Sequence, residues 1–337
     1  MPSECPPPSF FSSREFLISS SHLLSFLTIP TNLFVIYIIV FHTPKSMKSM
    51  QTVMINVQVW GTIADAQVGF MTIPFIFFPL MAGVPSGILS CSGISTRFQA
   101  YITSCFISEV ASAICFLMEK QQRHICGNRA LITNKYTLNV LSVFNYIASF
   151  LYIAPVYVYV PDQMATKLAF LGLIPCPDPV FLEERVYVAT DNYTLVGVSF
   201  CLCFITFYSQ CTVHVIYSCR FLFSVVNSRS SSLKTQRAQK KFFLAVCIQA
   251  LVPSVFLGLP VAYFSFSTYT KYHNQAVNNI SFLIISLHGF LNSICTILLY
   301  EHYRKFTAKK LFGVCGMLKN RSRVSLTPNS AQFSNAF

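Results

Sequence analysis

The chain has 337 residues, 53% hydrophobic and 10% charged, with 33 Phe, 16 Tyr and a formal net charge of +13. Soluble domains carry about 25% charged residues, so this chain lacks the polar groups needed to cover a globular surface in water. Its apolar residues fall in long runs, and about 20 in a row match the ~30 Å hydrocarbon core of a bilayer at 1.5 Å per residue.

Seven membrane spans are predicted, at about 17–41, 52–79, 98–118, 136–160, 193–219, 242–268 and 278–300. Residues 1–16 precede the first as a short segment without a basic n-region or a small-residue cleavage site, so the first span is expected to stay as an anchor. Pro30, Pro74, Pro79, Pro155, Pro253 and Pro260 interrupt several spans, as membrane helices tolerate where neighbours re-satisfy the freed carbonyls. No internal repeat of transporter type is visible, and seven spans do not divide into equal halves. Residues 301–337 form a basic tail, rich in Ser and Asn and expected to be disordered after 323.

Lys and Arg in short loops set the orientation. With the N-terminus outside, 19 of the 24 cations fall on the cytoplasmic side and five outside. The acids lean the other way, with Asp65 and Glu109 left inside the membrane. The expected fold is therefore an all-α, seven-transmembrane bundle with an extracellular N-terminus and a cytoplasmic C-terminus. Anionic lipid is worth about 1 kcal/mol per nearby Lys or Arg, so the net charge needs no nucleic-acid partner.

Most of the 13 Cys lie inside apolar runs, where Cys behaves as a small hydrophobe. Neither C-x-x-C nor H-x-x-x-H occurs, so no metal site or cofactor is expected. No His or carboxylate cluster suggests catalysis.

Several words in order resemble one family. They are "HTPKSMKS" (His42 to Ser49), Trp60, Asp65, "TIPFIFFPLMAGVPSGIL" (Thr72 to Leu89), "PDQ" (Pro161 to Gln163) and "PCPDP" (Pro175 to Pro179). "QKKFFLAVCIQALVP" (Gln239 to Pro253), "SLHG" (Ser286 to Gly289) and "HYR" (His302 to Arg304) follow. Over residues 16 to 305 the chain resembles the nematode serpentine chemoreceptors of class h, which are seven-span G-protein-coupled receptors. The resemblance implies a plasma-membrane protein of a sensory-neuron cilium, a small-molecule odorant or pheromone as ligand, and a heterotrimeric G protein as partner. The alternative is a seven-span odorant-gated channel or a small-solute transporter. A channel of that kind implies an inside N-terminus, which the 19 to five bias opposes.

The family's Glu-Asn-Arg-like word at the inner end of the third span is replaced by Glu119-Lys120-Gln121, with Arg123 two residues on. The G-protein contact it implies then passes to Lys120 or Arg123, joined by Lys240 and Lys241 at the sixth span. Pro253, about 11 residues into that span, puts a kink near mid-membrane. Superfamily likeness implies a disulfide from the third span's outer end to the following outer loop, here Cys91–Cys176. Cys105 and Cys5 compete, and free thiols are the plain alternative.

A carboxylate at the bilayer centre costs about 2.5–3.5 kcal/mol on insertion scales, so Asp65 and Glu109 should face the bundle as a polar hub. The hub is either a sodium or proton site that differs between receptor states, or a set of satisfied interhelical hydrogen bonds. Glu109, Tyr101 and Tyr263 are candidates for ligand contact, with Tyr152, Tyr157 and Phe264 as further aromatic lining. Asn192 and Asn279 fit the glycosylation pattern but adjoin spans closely. Cys315, beyond a basic amphipathic stretch, is either a palmitate site or an unmodified Cys.

Overall fold

The structure, a computed structural model, describes residues 9–172, 179–227 and 233–310. Cys176 and Cys315 lie outside them, as does Cys5.

Ser13 starts the first rod. Its hydroxyl accepts from Phe16 N–H at 3.1 Å, and Glu15 complements the dipole in the first turn of α1 (Arg14–His42). The buried stripe of α1 is small or polar through much of its length, with Ser21, Ser25, Thr28 and Asn32 inside. Its opposite face carries Leu23 at 66%, Phe26 at 76% and Leu33 at 55% exposed. Polar inside and apolar outside inverts the pattern of a water-soluble helix. It suits a helix that packs on neighbours through small residues and turns its large apolar side chains to lipid.

Among the described residues, six segments are long and apolar enough to cross a membrane: 14–42, 96–129, 135–158, 193–224, 243–270 and 275–299. The seventh rod is α2 (Lys48–Ala66), in the middle of the bundle and in contact with α1 and with α3 (Thr96–Cys126). Gln58 and Asp65 sit on its buried face, which lowers its apolarity. α4 (Lys135–Leu151) and α5 (Ala154–Val158) form one rod, and α6 (Gln163–Leu171) lies in the connection after it. α7 (Tyr193–Asn227) and α8 (Leu233–Thr270) follow. α9 (Gln275–Ser286) and α10 (His288–Leu299) share the last rod, interrupted at Leu287, and residues 301–310 continue as a helix.

The stretch 52–79, expected as one span, is helical only in part. After Ala66 the helix widens to a π-helical segment, Gln67–Thr72, and Ile73 at φ 43° turns the chain into β1 (Pro74–Ile76). The cause is Pro74, which has no N–H to donate and bars the preceding residue from the α region. β1 pairs antiparallel with β2 (Ala82–Pro85), Phe75 opposite Val84, and β2 pairs with β3 (Tyr187–Val188), Ala82 opposite Val188. This small sheet was not foreseen in an all-helical reading. Elsewhere several helices outrun the apolar runs, α3 and α8 by two turns or more, because a helix continues past the hydrocarbon.

The sheet caps the bundle end where α1 begins. Phe75, Phe77, Leu80, Val84, Phe181 and Val188 bury one cluster there with Leu17 and Phe282. Arg14 reaches across from α1, donating to Ser86 Oγ at 2.8 Å and pairing with Glu183 at 3.7 Å. Side chains of α9 tie the cap down. Gln275 and Asn278 donate to Ile76 O at 3.1 and 3.3 Å, and Asn279 donates to Phe11 O and Ser13 O at 2.9 and 3.1 Å. With its amide spent in this way, Asn279 is 1% exposed. At the far end a second cluster joins Val35, Met50, Met54, Leu117 and Tyr303, and Tyr303 OH meets Thr43 Oγ1 at 2.8 Å.

Candidate functional site

Three rods converge where α1, α2 and α10 carry their most polar buried residues. Asp65, 1% exposed, receives three N–H donors. Asn32 Nδ2 donates to Oδ2 at 2.9 Å, Gly289 N donates to Oδ1 at 3.2 Å, and His288 Nδ1 lies 2.9 Å from Oδ1. The same Nδ1 is 2.7 Å from Ile285 O. Both neighbours are acceptors, so Nδ1 carries the hydrogen and shares it. From Asn32 the network runs on. Ser293 Oγ donates to Asn32 Oδ1 at 2.6 Å and accepts from Gln58 Nε2. The result is one chain of buried bonds stapling three rods, and such chains are worth more than their pairs taken separately.

Close approach makes this possible. A Cβ on Gly61 would lie 3.7 Å from Gly289 Cα, so the second and last rods nearly touch there. A Cβ on Gly289 would strike the Asp65 carboxyl and come 3.0 Å from Gly61 O. Gly289→Ala is therefore expected to destabilise by about 1–3 kcal/mol through overpacking, read as a lower thermal midpoint; Gly258→Ala, where a Cβ meets open space, serves as the control.

The model of the family described as "Serpentine type 7TM GPCR chemoreceptor Srh" matches residues 12–313. The chain belongs to this family. It is also 27% identical, over 90% of its length and 88% of the relative's, to "Serpentine receptor class H-72" of Caenorhabditis elegans. Among solved structures its fold resembles squid rhodopsin, with a TM-score of 0.55 and 11% identity over 92% of this chain and 88% of that one. The chain is thus a seven-transmembrane chemosensory receptor of the G-protein-coupled kind and a multi-pass membrane protein.

Within this Srh receptor the two intramembrane acids part company. Asp65 builds the hub, whereas Glu109, 0% exposed on α3, has no hydrogen-bond partner on either carboxyl oxygen among the described residues. It lies within electrostatic reach of Cys105 and Tyr146 instead. His288, buried at 1%, is the site residue that sequence reasoning missed. It stood inside the word "SLHG" but was not singled out, although an ionisable residue in a span is a functional candidate by default. Asn32 and Ser293 were missed too, since single amides and hydroxyls in spans carry little signal.

The receptor's aromatic ligand candidates all bridge elements. Tyr101 OH donates to Phe150 O at 3.1 Å, Tyr152 OH meets Thr206 Oγ1 at 2.9 Å, and Tyr157 OH meets Ser104 Oγ at 3.0 Å. Tyr263 OH donates to Asn278 Oδ1 at 3.1 Å, and Phe264 stacks on Phe78 with centroids 4.1 Å apart. Through these contacts the side chains hold rods and cap together, and Tyr101 and Tyr157 also line an open cleft. Cys91 is exposed.

At the end opposite the sheet, Lys120 and Arg123 are half-buried while Glu119 and Gln121 are buried, and Lys240 and Lys241 are exposed on α8. Glu301 pairs with Lys305 at 2.7 Å, and that bond, with a smaller pull from Lys241, holds its carboxyl below the usual range. A depressed carboxylate stabilises the fold while ionised, and that contribution vanishes as pH falls through its lowered folded value. The stability difference between wild type and Glu301→Gln is accordingly expected to hold above the ordinary carboxylate value of 4.5 and to shrink as pH falls below it, followed by thermal melts.

Proposed function

We propose that the receptor sits in the plasma membrane of a sensory cilium with its N-terminus and sheet outside. A small odorant or pheromone binds in the outer half of spans three to seven, and the far end engages a heterotrimeric G protein. The observation that carries the reading is the Asp65–His288–Asn32 network, because a buried polar staple across three rods has discrete bonded arrangements rather than a continuum. A ligand acts by favouring one of two bundle packings, since equal affinity for both shifts nothing.

In the packing described, Lys241 on α8 lies within electrostatic reach of Glu301 beyond α10. Outward movement of the α8 end, hinged at Pro253, separates the two and opens a cleft for a G-protein helix, with Lys120, Arg123, Lys240 and Lys241 on its rim. Supporting the orientation is the gathering of cations at that end, with 19 of 24 on one side of the predicted spans.

An epitope placed before Ser9 should label on unpermeabilised cells, and one fused after the C-terminus should not. The reverse pattern would invert the orientation and remove the proposed coupling face from the cytoplasm.

A further inference from the structure

The first turn of α3 borders an open cleft of about 320 Å3, lined by Ser95, Arg97, Phe98, Tyr101, Tyr157 and Val158. Its volume is at the lower end of the range for small-molecule sites, ~300–1,000 Å3. We propose that this cleft binds an amphiphile bearing an anionic head group, with the head on Arg97 and the apolar chain along Phe98, Tyr101 and Val158.

The guanidinium is held in place and left available. Arg97 Nε donates to Tyr157 O at 2.7 Å, and its terminal nitrogens have no hydrogen-bond or ion-pair partner among the described residues. The nearby acids serve other cations: Glu183 pairs with Arg14 at 3.7 Å, and Glu184 acts on Lys167. Tyr187 OH is enclosed without a hydrogen-bond partner among the described residues, close enough to feel the Arg97 charge. Burial raises that phenol, with Arg97 opposing, so no phenolate competes for the guanidinium. The positive end of the α3 dipole adds to the same field. A fixed planar fork with free N–H groups is the geometry that takes a carboxylate or phosphate.

Away from the head the chemistry changes. The hydroxyls of Tyr101 and Tyr157 are tied to Phe150 O and Ser104 Oγ, so their rings offer apolar faces to the cleft. Phe98 is 54% and Val158 72% exposed, which opens the cleft sideways on the bundle. The occupant therefore enters from the bilayer rather than through the sheet. A free long-chain carboxylate and an anionic phospholipid share this chemistry.

The inference rests on the receptor reading for its signalling meaning, but its test contains no G protein, so the two fail separately. Full-length receptor in phosphatidylcholine nanodiscs is titrated with a fluorescent long-chain carboxylic acid and with its methyl ester. The acid is expected to bind saturably and at least about tenfold tighter, equivalent to about 1.4 kcal/mol. Arg97→Gln should abolish that preference and Arg97→Lys should retain part of it. Ala154→Trp, which fills the cleft from a lining position, should block binding even if Arg97→Gln does not fold. Displacement of the probe by phosphatidylglycerol assigns the site to lipid, and resistance to displacement assigns it to the free amphiphile. Equal binding of acid and ester, or binding that survives Ala154→Trp, overturns the proposal.

Discussion

Asp65→Ala is expected to lower the stability of the receptor by about 3–5 kcal/mol, the range for breaking a buried pair by removing one partner. Three N–H groups lose their common acceptor at once: Asn32 Nδ2, Gly289 N and His288 Nδ1. His288 Nδ1 keeps Ile285 O at 2.7 Å, but water cannot stand in for the lost acceptor, with His288 1% exposed and Asn32 0%. Interhelical hydrogen bonds in membranes average only about 0.6 kcal/mol each, so the expected size comes from leaving buried N–H groups without an acceptor rather than from the bonds alone. His288→Leu should cost less, because Asn32 and Gly289 still hold the carboxylate. Removing both partners in Asp65→Leu/His288→Leu should recover part of the loss, since replacing a buried pair by apolar residues is often neutral or better. A double-mutant cycle by thermal melts in detergent measures this, and coupling of about 0.5–3 kcal/mol is expected. Strict additivity would mean that the two residues act apart.

Lys240→Gln/Lys241→Gln should reduce G-protein activation at least about tenfold while surface delivery falls far less. Charges at the rim of an interface set the rate of encounter and the salt dependence more than folding, and both side chains are exposed at the start of α8. They stand beside the helix that carries Glu301, in whose field Lys241 takes part. Ligand-stimulated nucleotide exchange, normalised to receptor at the cell surface, separates the two roles. If delivery falls as much as exchange, the lysines only anchor the span by the positive-inside effect.

Chain order and rod count were legible because a bilayer imposes length and apolarity on each span. The family words from His42 to Arg304 pointed to the class now established. The second rod was the hard one. Its helix was expected to reach residue 79, yet Pro74 ends it and a strand takes over, a local effect that apolarity alone does not register. Asp65 stood out by its charge, whereas its partners did not. Asn32 and Ser293 are ordinary residues until three rods bring them together, and Gly289 matters only because its missing Cβ leaves space for the carboxyl. Glu109 matched Asp65 in charge and depth, but its turn of α3 does not join the network. Side-chain partnership across rods depends on rotation about each helix axis, which sequence spacing leaves open.

The central claim is that the chain passes a chemical signal to a heterotrimeric G protein. The most direct measurement expresses the receptor in reporter cells, screens volatile and water-soluble compounds, and repeats every response in cells lacking functional G proteins. The account predicts responses that disappear with the G protein and return when it is restored. Robust responses that survive its complete loss would contradict it.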